Sequence, residues 1–340
     1  MNKFEFRYIV LGGGLGEYYD YAYRQVNELE GNLYDGKFPW NRLVQLLNRI
    51  HFSNKINSCV KLPFKKIWVY AFLKYIEKKV NLVGEKQDKI CFVFFRNWFF
   101  AGLLEHNLVM LLRKKYPNCK IVFYIQDQVG VSGIPLELLK NNSDLIIYYD
   151  KEDAKKQGGQ HYDVPYSSIE EFEVAPKEIS SDVFFVGYAK NRYDDIISVY
   201  EVLKEKGLVC DFNIIGVQKE KRLYENEINY EKVLSYKENL EKVGRTRCVL
   251  EVIQKESVGN TLRVYEAIML DKLLLSNNQA LKENSLFDER YMYIYDNIQN
   301  ISTDFIRNSE RVCYTNKACL YPENLLYFIE ERLMLQNLVK

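Results

Sequence analysis

The chain is predicted to be an α/β protein of two domains, each a doubly wound parallel sheet, and three observations carry the prediction. Short, predominantly apolar runs recur along the 340 residues, at 8–11, 90–95, 120–125, 145–149, 182–186, 210–215, 248–253, 273–275 and 291–295. Strands buried on both faces of a parallel sheet read this way, whereas half-exposed strands alternate apolar with polar residues. Consecutive runs lie far enough apart to hold a helix, as a parallel crossover requires. The alternation lapses once, over 158–181, where Pro165, Ser167, Ser168, Glu170, Glu171, Glu173 and Pro176 make a linker.

The elements follow in order. The first strand, 8–11, ends in Gly12, Gly13, Gly14 and Gly16. The next ~75 residues read as helical, with turn signals near Gly31, Gly36 and Pro39. Strands at 90–95, 120–125 and 145–149 complete the first half, with helical spacing over 103–112. After the linker come a strand at 182–186, a helix over 194–206, a strand at 210–215 and a helix over 237–243. Then a strand at 248–253, a loop with Ser257, Gly259, Asn260 and Thr261, a helix carrying Arg263 and Glu266, and a strand at 273–275 form one βαβ unit. A terminal helix over 322–335 starts with Pro322 in its first turn. The predicted division is 1–168, a Rossmann-like N-terminal domain; 180–320, a second Rossmann-like domain facing it across a cleft; and 321–340, a C-terminal helix crossing back to the first domain. Open α/β sheets bind ligands beyond the carboxyl ends of their strands, so the loops after Gly12, Phe95, Ile125, Gly187 and Ile253 are expected to face the cleft.

Composition narrows the function. A hydrophobic share of 47% supports two cores of ordinary size. A formal net charge of +1 offers no global field for nucleic acid, so an electrostatic partner must be met by a local patch. The seven cysteines lie scattered, mostly within apolar runs, with no CxxC pair and no neighbouring histidine; they predict reduced core residues of a cytosolic protein and no metal site. The start of the chain enters a strand-like run, with no leader pattern. The longest apolar stretches, 67–73 and 98–104, fall well short of the roughly 18 to 20 residues of a spanning helix. Between Arg42 and Val80 nine lysines and arginines stand against one acid, Glu77, interleaved with Phe64, Trp68, Tyr70 and Phe72. That mixture reads either as peripheral contact with an anionic membrane or as a solvated basic helix face.

Candidate chemistry clusters at strand ends. Gly259, Asn260 and Thr261 open a helix whose amides and dipole can hold a diphosphate. Arg263 stands beside them, and Glu266, three residues on, can accept from ribose hydroxyls. Gly187, Lys190 and Arg192 follow an earlier strand and can close over phosphate oxygens. In the first domain the pattern Gly12, Gly14, Glu17 lacks the third glycine of a dinucleotide fingerprint. Gly13 and Gly14 read as a loop that an acceptor can approach, or as a plain tight turn. Asp127, Asp150 and Glu17 sit where a general base can sit, and Asp127 is the candidate chosen. His161 falls in the linker and reads as a surface or hinge residue.

Residues 182–192 and 259–266, with Lys272 and the strand to Asn277, resemble the donor half of GT-B glycosyltransferases, above all the bacterial enzymes that assemble capsule, exopolysaccharide or O-antigen repeat units. Residues Tyr149 to Ala154 are similar to that group as well. The resemblance implies a GT-B fold and a hexosyltransferase-like enzyme with no cofactor. No DxD-type metal motif stands in a convincing loop, in accord with metal-independent catalysis, and the protein is expected in the cytoplasm, with the basic stretch 42–80 at the inner face of the cell membrane. Its partners would be a nucleotide-sugar donor held by the C-terminal domain and a lipid-linked or glycan acceptor held by the N-terminal domain. Gly259, Asn260 and Thr261 would meet the diphosphate, Arg263 would lie close to it, and Glu266 would bind ribose. Two features depart from the pattern. Val258 stands eight positions before Glu266, where many retaining members have a second glutamate, and the family's arginine and lysine are matched only approximately by Lys190 and Arg192. A nucleotide-sugar epimerase of the same fold, a non-catalytic scaffold of a polysaccharide-assembly complex and a nicotinamide oxidoreductase are the competing readings.

Overall fold

The computed structural model describes residues 3–12, 14, 16–85, 87–95, 98–126, 129, 136–169, 178–254, 259–307 and 312–338. Two compact units divide the chain, Met1–Ser167 with Leu320–Lys340 and Ser168–Cys319. The first holds β1 (Arg7–Leu11), β2 (Leu33–Asp35), β3 (Ile90–Phe95), β4 (Lys120–Ile125), β5 (Leu145–Tyr148) and β6 (Gln160–His161) in the order β2-β1-β3-β4-β5-β6, every neighbour parallel. The second holds β7 (Ser181–Tyr188), β8 (Cys210–Ile215), β9 (Thr246–Glu251), β10 (Leu273–Ser276) and β11 (Met292–Ile294) in the order β11-β10-β9-β7-β8, again all parallel.

The period of two explains why these runs are apolar throughout. Ile9, Leu11, Phe92, Phe94, Ile121 and Phe123 point to one face, where they pack with Phe72, Ile76 and Val80 of helix Lys66–Val83. The alternate residues Tyr8, Val10, Cys91, Val93, Val122 and Tyr124 point to the other, where Leu325, Leu326, Ile329 and Leu333 of helix Pro322–Leu338 cover them. The Tyr8 hydroxyl donates to the Leu326 carbonyl at 3.1 Å, and the Glu5 amide donates to the Glu330 carboxyl. In the second unit Val183, Phe185, Cys248, Leu250, Leu273 and Leu275 share a core with Ile196, Ile197, Tyr200 and Leu203 of helix Tyr193–Glu205. Both chains of strands step outward once and then reverse. The switch points therefore lie between β1 and β3 in one unit and between β7 and β9 in the other.

Four expectations are corrected. The segment after the glycines is not helical throughout: β2 lies between the turn signals Gly31 and Gly36 and pairs with β1. Its three residues are too few to show a period. The linker begins later than 158, because β6 pairs with β5 and places His161 in the first sheet. Helix 103–112 is two helices, Trp98–Glu105 and Leu108–Lys115, broken where Asn107 takes φ +69°, a left-handed conformation that asparagine tolerates better than most residues. Among the cysteines, Cys91, Cys119 and Cys248 are buried and Cys210 half-buried, but Cys59, Cys313 and Cys319 are exposed. No described helix is long and apolar enough to cross a membrane.

Candidate functional site

At the end of β7 the chain turns through Ala189 into a short 3-10 turn, Lys190–Arg192, with Lys190 exposed at φ +46°. Arg192 folds back over the strand ends. Its Nη1 donates to the Val252 carbonyl just beyond β9, and its Nη2 donates to the Tyr188 carbonyl at 3.2 Å. The guanidinium also lies 5.9 Å from the centre of the Phe185 ring. Gly187 makes room for it, since a Cβ there would stand 3.1 Å from Arg192 Nη2. One side chain thus spans the switch point of the second sheet. Among the described residues Arg192 has no carboxylate at ion-pair distance. Burial, and then the like charge of Arg263, hold its guanidinium below the usual arginine value, with Glu251 acting the other way.

Glu251 ends β9 and is buried. Its carboxyl accepts from the Thr261 amide at 3.0 Å, the Thr261 hydroxyl at 2.6 Å and the Ser276 hydroxyl at 2.5 Å. It thereby pins the start of helix Leu262–Met269 to the ends of β9 and β10. Thr261 is the N-cap, and its hydroxyl accepts from the Arg263 amide at 3.3 Å. One turn on, Glu266 is 0% exposed and paired with Arg263, whose Nε lies 3.0 Å from one carboxyl oxygen and Nη2 3.1 Å from the other. Asn239, on helix Tyr236–Gly244, donates to Glu266 at 2.9 Å and accepts from Arg263 Nη1 at 3.1 Å. Tyr236 adds a further hydrogen bond to Glu266. Burial pushes both carboxyls up from the ordinary glutamate value, Arg263 opposing it in each case.

The structure therefore brings Gly187, Arg192, Thr261, Arg263 and Glu266 to one end of the second sheet, with Gly259 and Asn260 half-buried immediately before the N-cap. It distributes their contacts differently from the sequence expectation. The Thr261 amide, expected to face a diphosphate, is taken by Glu251. The Glu266 carboxyl, expected to face ribose, is turned to Arg263, Asn239 and Tyr236. Arg192 and Lys190 stand at this end of the sheet with no carboxylate at ion-pair distance among the described residues, whereas Arg263 is paired with Glu266. Lys272 donates to the Gly244 carbonyl at 2.8 Å and ties one helix end to β10. In the first unit, Gly14 donates its amide to the Gly36 carbonyl at 2.8 Å, and at φ +81° a Cβ there would stand 2.9 Å from Phe38, so only glycine fits. Gly13, Asp127 and Ser257 lie outside the described residues. Sequence reasoning passed over Glu251, although a lone acid inside an apolar strand run is itself a signal, because an unpaired buried charge is too costly to be incidental. Asn239 carried no signal at all.

Glu251 gives a pH test of this arrangement. Its folded-state pKa is raised above the ordinary 4.5. The stability it contributes is therefore fully present below that value and is lost as pH rises through the folded pKa. Glu251→Gln removes the titration, so the fall in urea midpoint of the second unit as pH rises above the ordinary glutamate value is expected to be smaller in the variant than in the parent. Equal falls would show that Glu251 does not contribute to the pH dependence.

No protein-family model and no curated protein matches the chain. Several solved structures are similar to it. An alpha-glucosyltransferase in complex with UDP and a 13-mer DNA is 11% identical over 76% of this chain and 82% of that one, with a TM-score of 0.49. A UDP-forming α,α-trehalose-phosphate synthase from Burkholderia xenovorans in complex with glucose-6-phosphate is 9% identical over 98% and 100% of the two chains, with a TM-score of 0.47. The catalytic domain of starch synthase IV from Arabidopsis thaliana bound to ADP and acarbose is 7% identical over 78% and 77%, with a TM-score of 0.45. At these identities and TM-scores no residue's role is carried from them to this chain.

Proposed function

We propose that the chain is a glycosyltransferase that moves a sugar from a nucleotide-sugar donor to a lipid-linked or glycan acceptor, in the manner of the bacterial polysaccharide enzymes its sequence resembles. The observation that carries the reading is the Arg192 guanidinium at the carboxyl ends of β7 and β9, bonded to the Tyr188 and Val252 carbonyls and lacking an acidic partner at ion-pair distance among the described residues. A half-buried guanidinium without an acidic partner favours an anion beside it, and a diphosphate supplies negative charge and several acceptor oxygens. In transfer, an acceptor hydroxyl oxygen attacks the anomeric carbon and its proton passes to a base, for which Asp127 is the candidate. The bond from that carbon to the diphosphate oxygen breaks, and the electron pair leaves with the nucleoside diphosphate. Preorganised guanidiniums stabilise the charge that develops there, which is work a divalent ion would otherwise do. In this reading Gly187 and Lys190 shape the phosphate loop, Gly259 and Asn260 line its other side, and Glu266 positions Arg263. The acceptor is assigned to the N-terminal unit and its Gly13 and Gly14 loop.

Thermal-shift measurements with UDP, GDP, CDP and dTDP, and with their sugar conjugates, test this in the presence of a chelator. One base is expected to raise the melting temperature, the stabilisation reaching about 2.7 kcal/mol at a ligand concentration of 100 Kd. Failure of all of them would remove the reading. Consumption of the donor with no acceptor present would move it to an epimerase.

A further inference from the structure

Helix Arg42–Phe52 is packed inside out. Leu43, Leu46, Leu47 and Ile50 fall on one face by their spacing and are between 41% and 67% exposed. The opposite face, turned toward the protein, carries the buried Asn48, neither of whose amide atoms meets a hydrogen-bond partner among the described residues. An amphipathic helix whose apolar stripe served its own core would be rotated the other way, burying leucine and leaving asparagine in water. Close by, Phe64 takes φ +60°, a costly left-handed conformation for a bulky residue, and its ring is 83% exposed. His51 joins the two features, since its ring nitrogens meet the Pro63 carbonyl at 2.7 Å and Trp68 Nε1 at 2.7 Å. Ile67, on the turn after Phe64, is exposed as well.

Charge decides what covers this surface. From Arg42 to Ile76 there is no aspartate or glutamate, while Arg42, Arg49, Lys55, Lys61 and Lys66, in the same segment, are exposed. A second copy docking through the same patch would set cations against cations. Nucleic acid would meet the cations but leave the leucines in water. An anionic bilayer satisfies both, taking the leucines to the acyl boundary and the lysines and arginines to the headgroups. We infer that helix Arg42–Phe52 and the turn at Phe64 seat the protein on an anionic lipid surface, with Leu43, Leu46, Leu47, Ile50 and Phe64 entering it.

The test is sedimentation of the full chain with vesicles of phosphatidylcholine containing about 30% phosphatidylglycerol, and with phosphatidylcholine alone, with no nucleotide present. Binding is expected to the anionic vesicles, roughly 10-fold or more weaker to the neutral ones, and reduced by salt. Leu46→Glu with Leu47→Glu is expected to lower partitioning roughly 100-fold. Both positions are exposed, so the melting temperature should stay near the parent's; a variant that unfolds is replaced by Leu47→Ser with Phe64→Ser, for which a loss in the same direction is expected. Absence of binding to anionic vesicles, unchanged partitioning of a folded variant, or a dimer in solution that the substitutions dissolve would each overturn the inference. Because no donor enters the assay, its failure is distinct from failure of the transferase reading.

Discussion

Replacing Glu266 with alanine is expected to destabilise the second unit by about 3–5 kcal/mol and to abolish its response to nucleoside diphosphates. The carboxyl is 0% exposed and both oxygens are held by Arg263. Removing one partner of a buried pair leaves the other charge uncompensated, which costs far more than the net worth of the pair. Arg263 would also lose the contact that aims it, keeping only Asn239 among the hydrogen bonds described above. The measurement is urea denaturation followed by far-UV circular dichroism. Trp40, Trp68 and Trp98 all belong to the first unit, so tryptophan emission follows that unit and separates the two transitions. Removing both partners, with Arg263→Met and Glu266→Leu, should recover much of the lost stability, because no orphan charge remains, yet it should not restore nucleotide binding. A loss below about 1 kcal/mol for Glu266→Ala would show the pair to be energetically idle.

Arg192→Met is expected to do the reverse, lowering turnover by roughly 100-fold to 1,000-fold while changing stability by only about 1 kcal/mol. Its hydrogen bonds go to the Tyr188 and Val252 carbonyls rather than to a carboxylate, so its loss strands no charge of opposite sign. If it meets charge that develops on the departing diphosphate, kcat falls more than KM rises. Arg192→Lys should not rescue, because one ammonium on a flexible stem cannot reach both strand ends and a phosphate together. Retention of turnover and of the thermal shift in Arg192→Met would place the phosphate elsewhere.

Much of the fold is legible in the order of residues, because a strand covered on both faces must be apolar at every position. Phe92, Phe94 and Val93 announce β3 without help from their neighbours. β2 and β6 escaped notice because three and two residues cannot show a period, and their pairing is decided by the strands beside them. The outward turn of helix Arg42–Phe52 could not be read either: the stripe of leucines is plain, but a stripe does not say whether it faces protein or solvent. At the site, the spacing of Arg263 and Glu266 places them on one helix face, and they meet there. Their assignment to separate parts of a ligand did not anticipate that two opposite charges on a buried face satisfy each other first.

Local sequence alone thus accounts for the strands other than β2 and β6, the crossovers and the clustering of cations after strand ends, since each depends on neighbours within a turn or a strand. Which groups are left for a ligand was settled by folding. The crossovers bring Arg192 to Val252 across 60 positions and Asn239 to Glu266 across 27, and Glu251 closes on Thr261 from the end of another strand. Buried polar groups must find partners wherever the fold supplies them, and the loop glycines, the caps and the acids were apportioned by that requirement.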